Sequence, residues 1–154
     1  MGALGIPAGA EGGTERFLQF AMLTKPKHML ATPSFAEHLI RKAPEIAGIE
    51  VRELGLETIQ GAAEPGAGIP ETRRKIQEAF GAKLYDCTGG IWGLFGISCD
   101  AEPYQGIHLV GEDYFFMDLA DPETKKPVDM NGPRATGEWM LTALEWEAAP
   151  AFRY

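Results

Sequence analysis

Basic residues are in short supply: 14 Lys and Arg stand against 22 Asp and Glu, a formal net charge of -8 over 154 residues. A protein that grips a phosphate backbone concentrates Lys and Arg, so this balance excludes a nucleic-acid binder. Cysteine is nearly missing as well. Cys87 and Cys99 are the only two, and with no signal-peptide pattern they speak for a reducing, cytoplasmic setting rather than a disulfide scaffold. The opening MGALGIPAGAE is too broken by Gly and Pro to act as an apolar signal segment. No apolar run approaches the roughly 20 residues that cross a bilayer, so no membrane partner is expected. There is no internal repeat and no low-complexity linker. No Ser-His-Asp series, H-E-x-x-H pair or G-x-x-x-x-G-K-[ST] loop occurs, which leaves hydrolase and P-loop readings without support.

What is present suits one globular domain with a real core: hydrophobic residues are 45% and charged residues 23% of the chain. After a Gly-rich start, Thr14 is placed to cap a helix running to Leu23, with Phe17, Phe20 and Ala21 on one face. His28-Met29-Leu30-Ala31 reads as a short buried strand. Ser34-Phe35-Ala36-Glu37 has the S-x-x-E form of a capping box, and Phe35, Ala36, Leu39, Ile40, Ala43 and Ile46 follow at helical spacing. Glu57–Gln60 is a second strand. Pro70 suits the first turn of a third helix, with Ile76, Ala79 and Phe80 inside and Gly81 as its stop. On that helix Arg73-Arg74-Lys75 reads as a solvated face.

Lys83–Cys87 is the next strand. Helices alternating with strands predict parallel pairing with helical crossovers. After Gly89 the pattern changes to short β-like runs at Ile107–Val110, Tyr114–Leu119 and Trp139–Leu144, with a turn at Asp121-Pro122-Glu123-Thr124. No helix separates them, so this half is expected to be antiparallel. The predicted class is α/β: parallel βα units over 1–90, then a mainly antiparallel β segment over 91–154.

An ordered series of short motifs carries a family resemblance. Thr32-Pro33-Ser34-Phe35, Ala63-Glu64-Pro65, Ile69-Pro70-Glu71-Thr72-Arg73, Gly106-Ile107-His108 with Glu112-Asp113, Asp121–Thr124, and Gly137-Glu138 through Thr142, Glu147-Ala148, Pro150 and Arg153-Tyr154 follow one another along nearly the whole chain. In that order they resemble the phenylacetate–CoA ligase branch of the AMP-forming acyl-CoA synthetases. The resemblance implies part of the large N-terminal AMP-binding domain, without the C-terminal lid domain. It also implies two half-reactions, in which a carboxylate takes AMP from ATP and the thiol of CoA then displaces it. ATP or AMP, CoA and Mg²⁺ are the implied cofactors. The implied small-molecule partner is an aromatic carboxylate or its adenylate.

Carried over by residue, the resemblance places Ala63, Glu64 and Pro65 against adenine and ribose. It places Asp86, with Cys87 and Thr88, at the start of the second nucleotide loop. Phe35 stands where the family presents an aromatic near the acyl pocket, or equally as a core residue. Gly90 and Trp92 stand where an acyl channel would run, Trp92 alternatively plugging a sheet edge. The stretch Cys99 to His108 resembles one that belongs to a structural zinc site in many ligases of the branch. A buried thiol and a hydrogen-bonded surface His is the other reading. Glu112-Asp113 looks like a carboxylate pair, but adjacent strand residues face opposite ways, which suits a solvated loop better.

Tyr85 and Asp86 match the start of the family's Y-D-x-Y-G-x-T-E loop, and Cys87–Gly93 then departs from it. The T-E pair that meets phosphate and Mg²⁺ is missing, as are the upstream phosphate loop, the R-T-x-D ribose segment and the catalytic Lys. The expectation is a ligase segment inactive by itself, working with a second polypeptide that supplies those parts. The alternatives are a non-catalytic nucleotide- or acyl-binding module and a structural subunit of a homo-oligomer.

Overall fold

The computed structural model describes residues 2–90, 93–111 and 113–144. Helix α1 (Gly13–Thr24) precedes strand β1 (His28–Ala31), followed by α2 (Pro33–Ala47), β2 (Thr58–Gly61), α3 (Pro70–Phe80) and β3 (Lys83–Gly90). Four further strands follow among the described residues: β4 (Gly93–Ser98), β5 (Ile107–Leu109), β6 (Phe115–Ala120) and β7 (Glu138–Ala143). Five strands form one sheet in the order β1-β2-β3-β4-β5, and β6 and β7 form a second. β1, β2 and β3 pair in parallel, whereas β6 and β7 are antiparallel. This is the predicted α/β class with its change of strand direction. Strand β4 was not legible: its Gly-rich lead-in, Cys87–Gly93, reads as a loop, yet β3 runs on through Gly90 and β4 begins at Gly93.

The chain divides into two compact units, Met1–Gly89 with Ile97–His108, and Gly90–Gly96 with Leu109–Tyr154. In the first, Met29, Ile59 and Leu84 come abreast in the parallel ladder. All three are buried, together with Leu18, Leu39, Val51, Leu54, Ile76 and Phe80. Sequential strand order with right-handed crossovers puts α2 and α3 on the same face of the sheet. β1 is therefore not a buried strand throughout. Met29 is enclosed, but Leu30, which points to the other face, is 71% exposed.

The helix boundaries follow local chemistry, with two corrections. Gly12, not Thr14, is the N-cap of α1, without a side-chain cap, and Thr14 Oγ1 instead lies 2.9 Å from His38 Nε2. Leu18 and Ala21 form the buried side of α1, whereas Phe20 is exposed. At α2 the cap is Thr32, whose Oγ1 accepts from Phe35 N–H at 3.2 Å, so Ser34-Glu37 is not a capping box. Glu37 pairs instead with Lys75 on α3 at 2.7 Å, and Ile46 faces solvent. α3 behaves as predicted: Pro70 opens it, Ile76 and Phe80 are buried, and Gly81 ends it at φ 65, a left-handed conformation that glycine adopts without a Cβ clash.

In the second unit, Phe115 pairs with Ala143 and Leu119 with Trp139 across β6 and β7. Phe95 packs edge-on against Phe115 at 6.3 Å. Asp121 Oδ1 accepts from the N–H groups of Glu123 and Thr124, making the predicted turn.

Phe80 is 1% exposed at the centre of the first unit, so Phe80→Ala should cost about 3–5 kcal/mol of unfolding free energy. Phe116→Ala, at a position 54% exposed, should change it by less than about 0.5 kcal/mol. Urea titration followed by far-UV circular dichroism checks both.

Candidate functional site

The carboxyl ends of β1 and β2 lie side by side, with Ala31 opposite Gly61, and Gly61 stands opposite Asp86, midway along β3, which runs on to Gly90. In open α/β sheets ligands bind just beyond such ends. Two of the segments that leave these ends are tied together. Ser34 N–H, at the start of α2, donates to Glu64 Oε1 at 2.6 Å across the turn that follows β2. Hydrogen bonding from Ser34, side chain first and backbone second, holds the Glu64 carboxyl below the usual glutamate range. Next to it Ala63 takes φ 70, a conformation uncommon outside glycine, which marks this turn as shaped rather than slack.

β3 is braced at Asp86, abreast of those two ends. Tyr104 Oη donates to Asp86 Oδ2 at 2.6 Å, and Asp86 N–H donates to Ser98 Oγ at 2.9 Å. Gly68 lies under this pair; a Cβ there would come within 2.8 Å of Asp86 Oδ2 and 3.0 Å of Tyr104 Oη. The backbone can pass so close only because the residue is glycine. Burial, then the bond to Asp86 and its charge, push the Tyr104 hydroxyl up to about 12. It is therefore a standing donor that fixes one oxygen of Asp86.

Other candidate residues fall elsewhere. Cys87 is buried within β3, and its thiol is pushed up by burial and by the Asp86 charge. Thr88 and Gly90 also lie on the strand rather than in a loop. Their N–H groups are set in extended strand, not in the anion-cradling loop that the Gly-rich sequence suggests. Phe35 is half-buried between Phe17, edge-on at 5.2 Å, and His38, stacked at 6.0 Å. Cys99 is half-buried and His108 is exposed on β5. Among the described residues no three His, Cys, Asp or Glu side chains gather as a metal's ligands would. Trp92, Glu112 and the motifs at 147–154 lie outside the described residues. No described helix is long and apolar enough to cross a membrane.

Arg73 overturns one expectation outright. It is 6% exposed rather than part of a solvated face. Arg73 Nη1 donates to Ala67 O at 3.3 Å, and its guanidinium lies over the Tyr104 ring at 5.2 Å. The series Ala67–Arg73–Tyr104–Asp86 thus connects the turn after β2 to the middle of β3. Helical periodicity could have flagged it, because Arg73 stands three residues before the buried Ile76 on the inner face of α3.

A likeness to solved structures defines the class. The fold is that of the N-terminal domain of adenylate-forming enzymes. 2-Hydroxyisobutyryl-CoA ligase, solved in an open conformation in complex with 2-HIB-AMP and CoA, superimposes with a TM-score of 0.75 and 30% sequence identity, over 91% of this chain. The same ligase in its postadenylation state with 2-HIB-AMP gives 0.74 and 30% over 90% of this chain. A benzoate CoA ligase from Burkholderia xenovorans LB400 shares the fold at a TM-score of 0.60 and 16% identity, over 84% of this chain and 25% of its own. These likenesses place the chain in the family of adenylate-forming CoA ligases. It spans about 30% of the length of 2-hydroxyisobutyryl-CoA ligase, corresponding to a segment of the N-terminal domain. No family profile and no curated protein sequence matches the chain.

The raised Tyr104 value gives a pH prediction. The folded state holds this proton more tightly than the unfolded chain, whose tyrosine titrates near 10. The stability this contributes is fully present below pH 10 and is lost as pH rises through about 12. Ultraviolet titration should show Tyr104 ionising late, with Tyr85 also raised by its bond to Asp100, and Asp86→Asn should lower the Tyr104 value only in part, because burial is its largest cause.

Proposed function

We propose that the chain is the nucleotide-facing segment of an acid–CoA ligase, which activates a carboxylic acid as its adenylate and passes the acyl group to CoA. The observation that carries this reading is the 30% identity over 91% of the chain to a ligase solved with 2-HIB-AMP and CoA. The braced row of strand residues agrees with it. In this reading Ala63, Glu64 and Pro65 form the edge against which adenine and ribose pack. Glu64 stiffens that edge through Ser34, and Asp86, held by Tyr104, sets the neighbouring strand. Cys87 and Thr88 continue that wall. Phe35, Gly90 and Trp92 are assigned to the acyl side.

ATP supplies the AMP group and CoA the thiol; Mg²⁺, when bound, would neutralise phosphate charge. Ordered donors at the strand ends orient the nucleotide, while the half-buried turn limits water. The acid is assigned as aromatic from the Thr32–Phe35 and Ile69–Arg73 motifs. The whole chain is read as one partial AMP-binding domain, 1–90 and 91–154, acting in the cytoplasm. Turnover is proposed to draw on further segments of the family's enzymes, among them the phosphate loop and the catalytic Lys.

Calorimetric titration of the full chain with AMP and with phenylacetyl-adenylate analogue should give saturable heat, and Glu64→Ala should weaken it about tenfold through loss of the Ser34 tie. No heat from any nucleotide at millimolar concentration would sink the reading. Tighter binding of a 2-hydroxyisobutyryl than a phenylacetyl adenylate would remove the aromatic assignment alone.

A second reading has its own support. Parallel sheets are normally covered on both faces, and here Leu30 is 71% exposed on the face opposite the helices. That face suits assembly with another subunit. Light scattering showing only monomer at high concentration would remove it.

A further inference from the structure

Charged side chains are rarely buried without a partner, and Arg73 is buried with one donor unmet. Its Nε–H is closed to solvent and has no hydrogen-bond acceptor among the described residues. Glu102 Oε1 is 3.9 Å away, within ion-pair range but beyond hydrogen-bond range, and the Glu102 side chain is 66% exposed. One face of the guanidinium is held on the Tyr104 ring, and Nη1 is engaged by Ala67 O. The Nε edge is therefore fixed in position by its neighbours yet left unsatisfied. Side-on, Nε–H and Nη2–H form the parallel fork that fits a carboxylate's two oxygens.

Arg73 and Glu102 line a groove of about 440 Å³ together with Pro70, Pro103, Tyr104 and Gln77. Ala63, Glu64, Pro65 and Asp86 are not part of its lining, so it is distinct from the nucleotide edge described above. Two prolines and an aromatic ring give it rigid apolar walls, Arg74 and Glu78 pair with each other at its exposed rim, and Arg73 is its enclosed cation. A pocket of this kind, apolar walls with one directed polar group, is suited to a small amphipathic ligand. The exposed Glu102 carboxylate stands where a ligand carboxylate would need to be, and at 3.9 Å it does not satisfy Arg73.

We propose that this groove binds a monocarboxylate carrying an apolar group, with Arg73 taking the carboxylate side-on in place of Glu102, and Pro70, Pro103 and Tyr104 covering the apolar part. Glu102 competes for the same edge and keeps the site closed when no ligand is present. The groove's lining lies outside the Ala63–Pro65 turn, and Tyr104, which also holds Asp86, is the residue shared with the nucleotide reading.

The test is ¹H–¹⁵N NMR of the full chain, following the Arg73 Nε–H resonance, assigned by its loss in Arg73→Lys. The probes are benzoate, acetate and inorganic phosphate at constant ionic strength. Benzoate should move this resonance saturably in the millimolar range, and acetate should bind several-fold more weakly because it lacks the apolar group. Glu102→Gln, which leaves Arg73 in place, should tighten benzoate about fivefold by removing the competing charge. Should Arg73→Lys not fold, resonance assignment by triple-resonance spectroscopy and the Glu102→Gln comparison still decide. Two outcomes overturn the proposal. In one, phosphate binds as well as benzoate, marking a general anion contact. In the other, the resonance is unmoved by benzoate in both the wild type and Glu102→Gln, making Glu102 the side chain's own partner.

Discussion

The in-register parallel pairing of β1, β2 and β3 is the constraint on which the first unit depends. It sets Met29, Ile59 and Leu84 in one buried row and, two residues further along, sets Ala31, Gly61 and Asp86 at a common edge. A slip of one residue in any strand would turn its buried side chain to the open face and expel it from the core. It would also pull one of those three residues out of line. Core packing and site geometry are thus two readings of the same ladder. Burial of each large apolar residue in that row is worth roughly 1.5–3 kcal/mol.

The edge itself is held by a few polar ties whose energies are individually small. Glu64 to Ser34 links the turn after β2 to the start of α2, and Tyr104 to Asp86 braces the middle of β3. Arg73 connects the two from below through Ala67 and the Tyr104 ring. Apart from Arg73 to Ala67, six residues apart, these ties join residues distant in sequence, so they are set by the packed fold more than by local turn preference. In the second unit the described interior is apolar, with Phe95 on Phe115 and Leu141 and Ala143 buried, and Lys125 pairs with Glu138 at the surface.

Several of these arrangements leave only a faint trace in sequence. Thr32, Ser34 and Glu37 all have capping chemistry, and a local pattern cannot say which one caps when Glu64, thirty residues away, takes the Ser34 N–H. Cys87–Gly90 looks like a loop because glycine is a poor strand former, yet pairing with neighbouring strands overrides that preference. Arg73 sits in a basic run that suggests solvent, while its helical position points inward.

The sequence by itself determined the alternation of helices and strands up to Cys87, the start and stop of α3 at Pro70 and Gly81, the turn at Asp121, and the family through its ordered motifs. These rest on local backbone rules and short periodicities, which act over a few residues. Only the tertiary structure decided that one face of the parallel sheet carries the helices, leaving Leu30 exposed, that Arg73 is enclosed with an unmet donor, and that Glu64 and Asp86 are held by Ser34 and Tyr104. Those outcomes depend on which distant side chain arrives at a given buried group, and that is settled by the strand register, not by the neighbours in the chain.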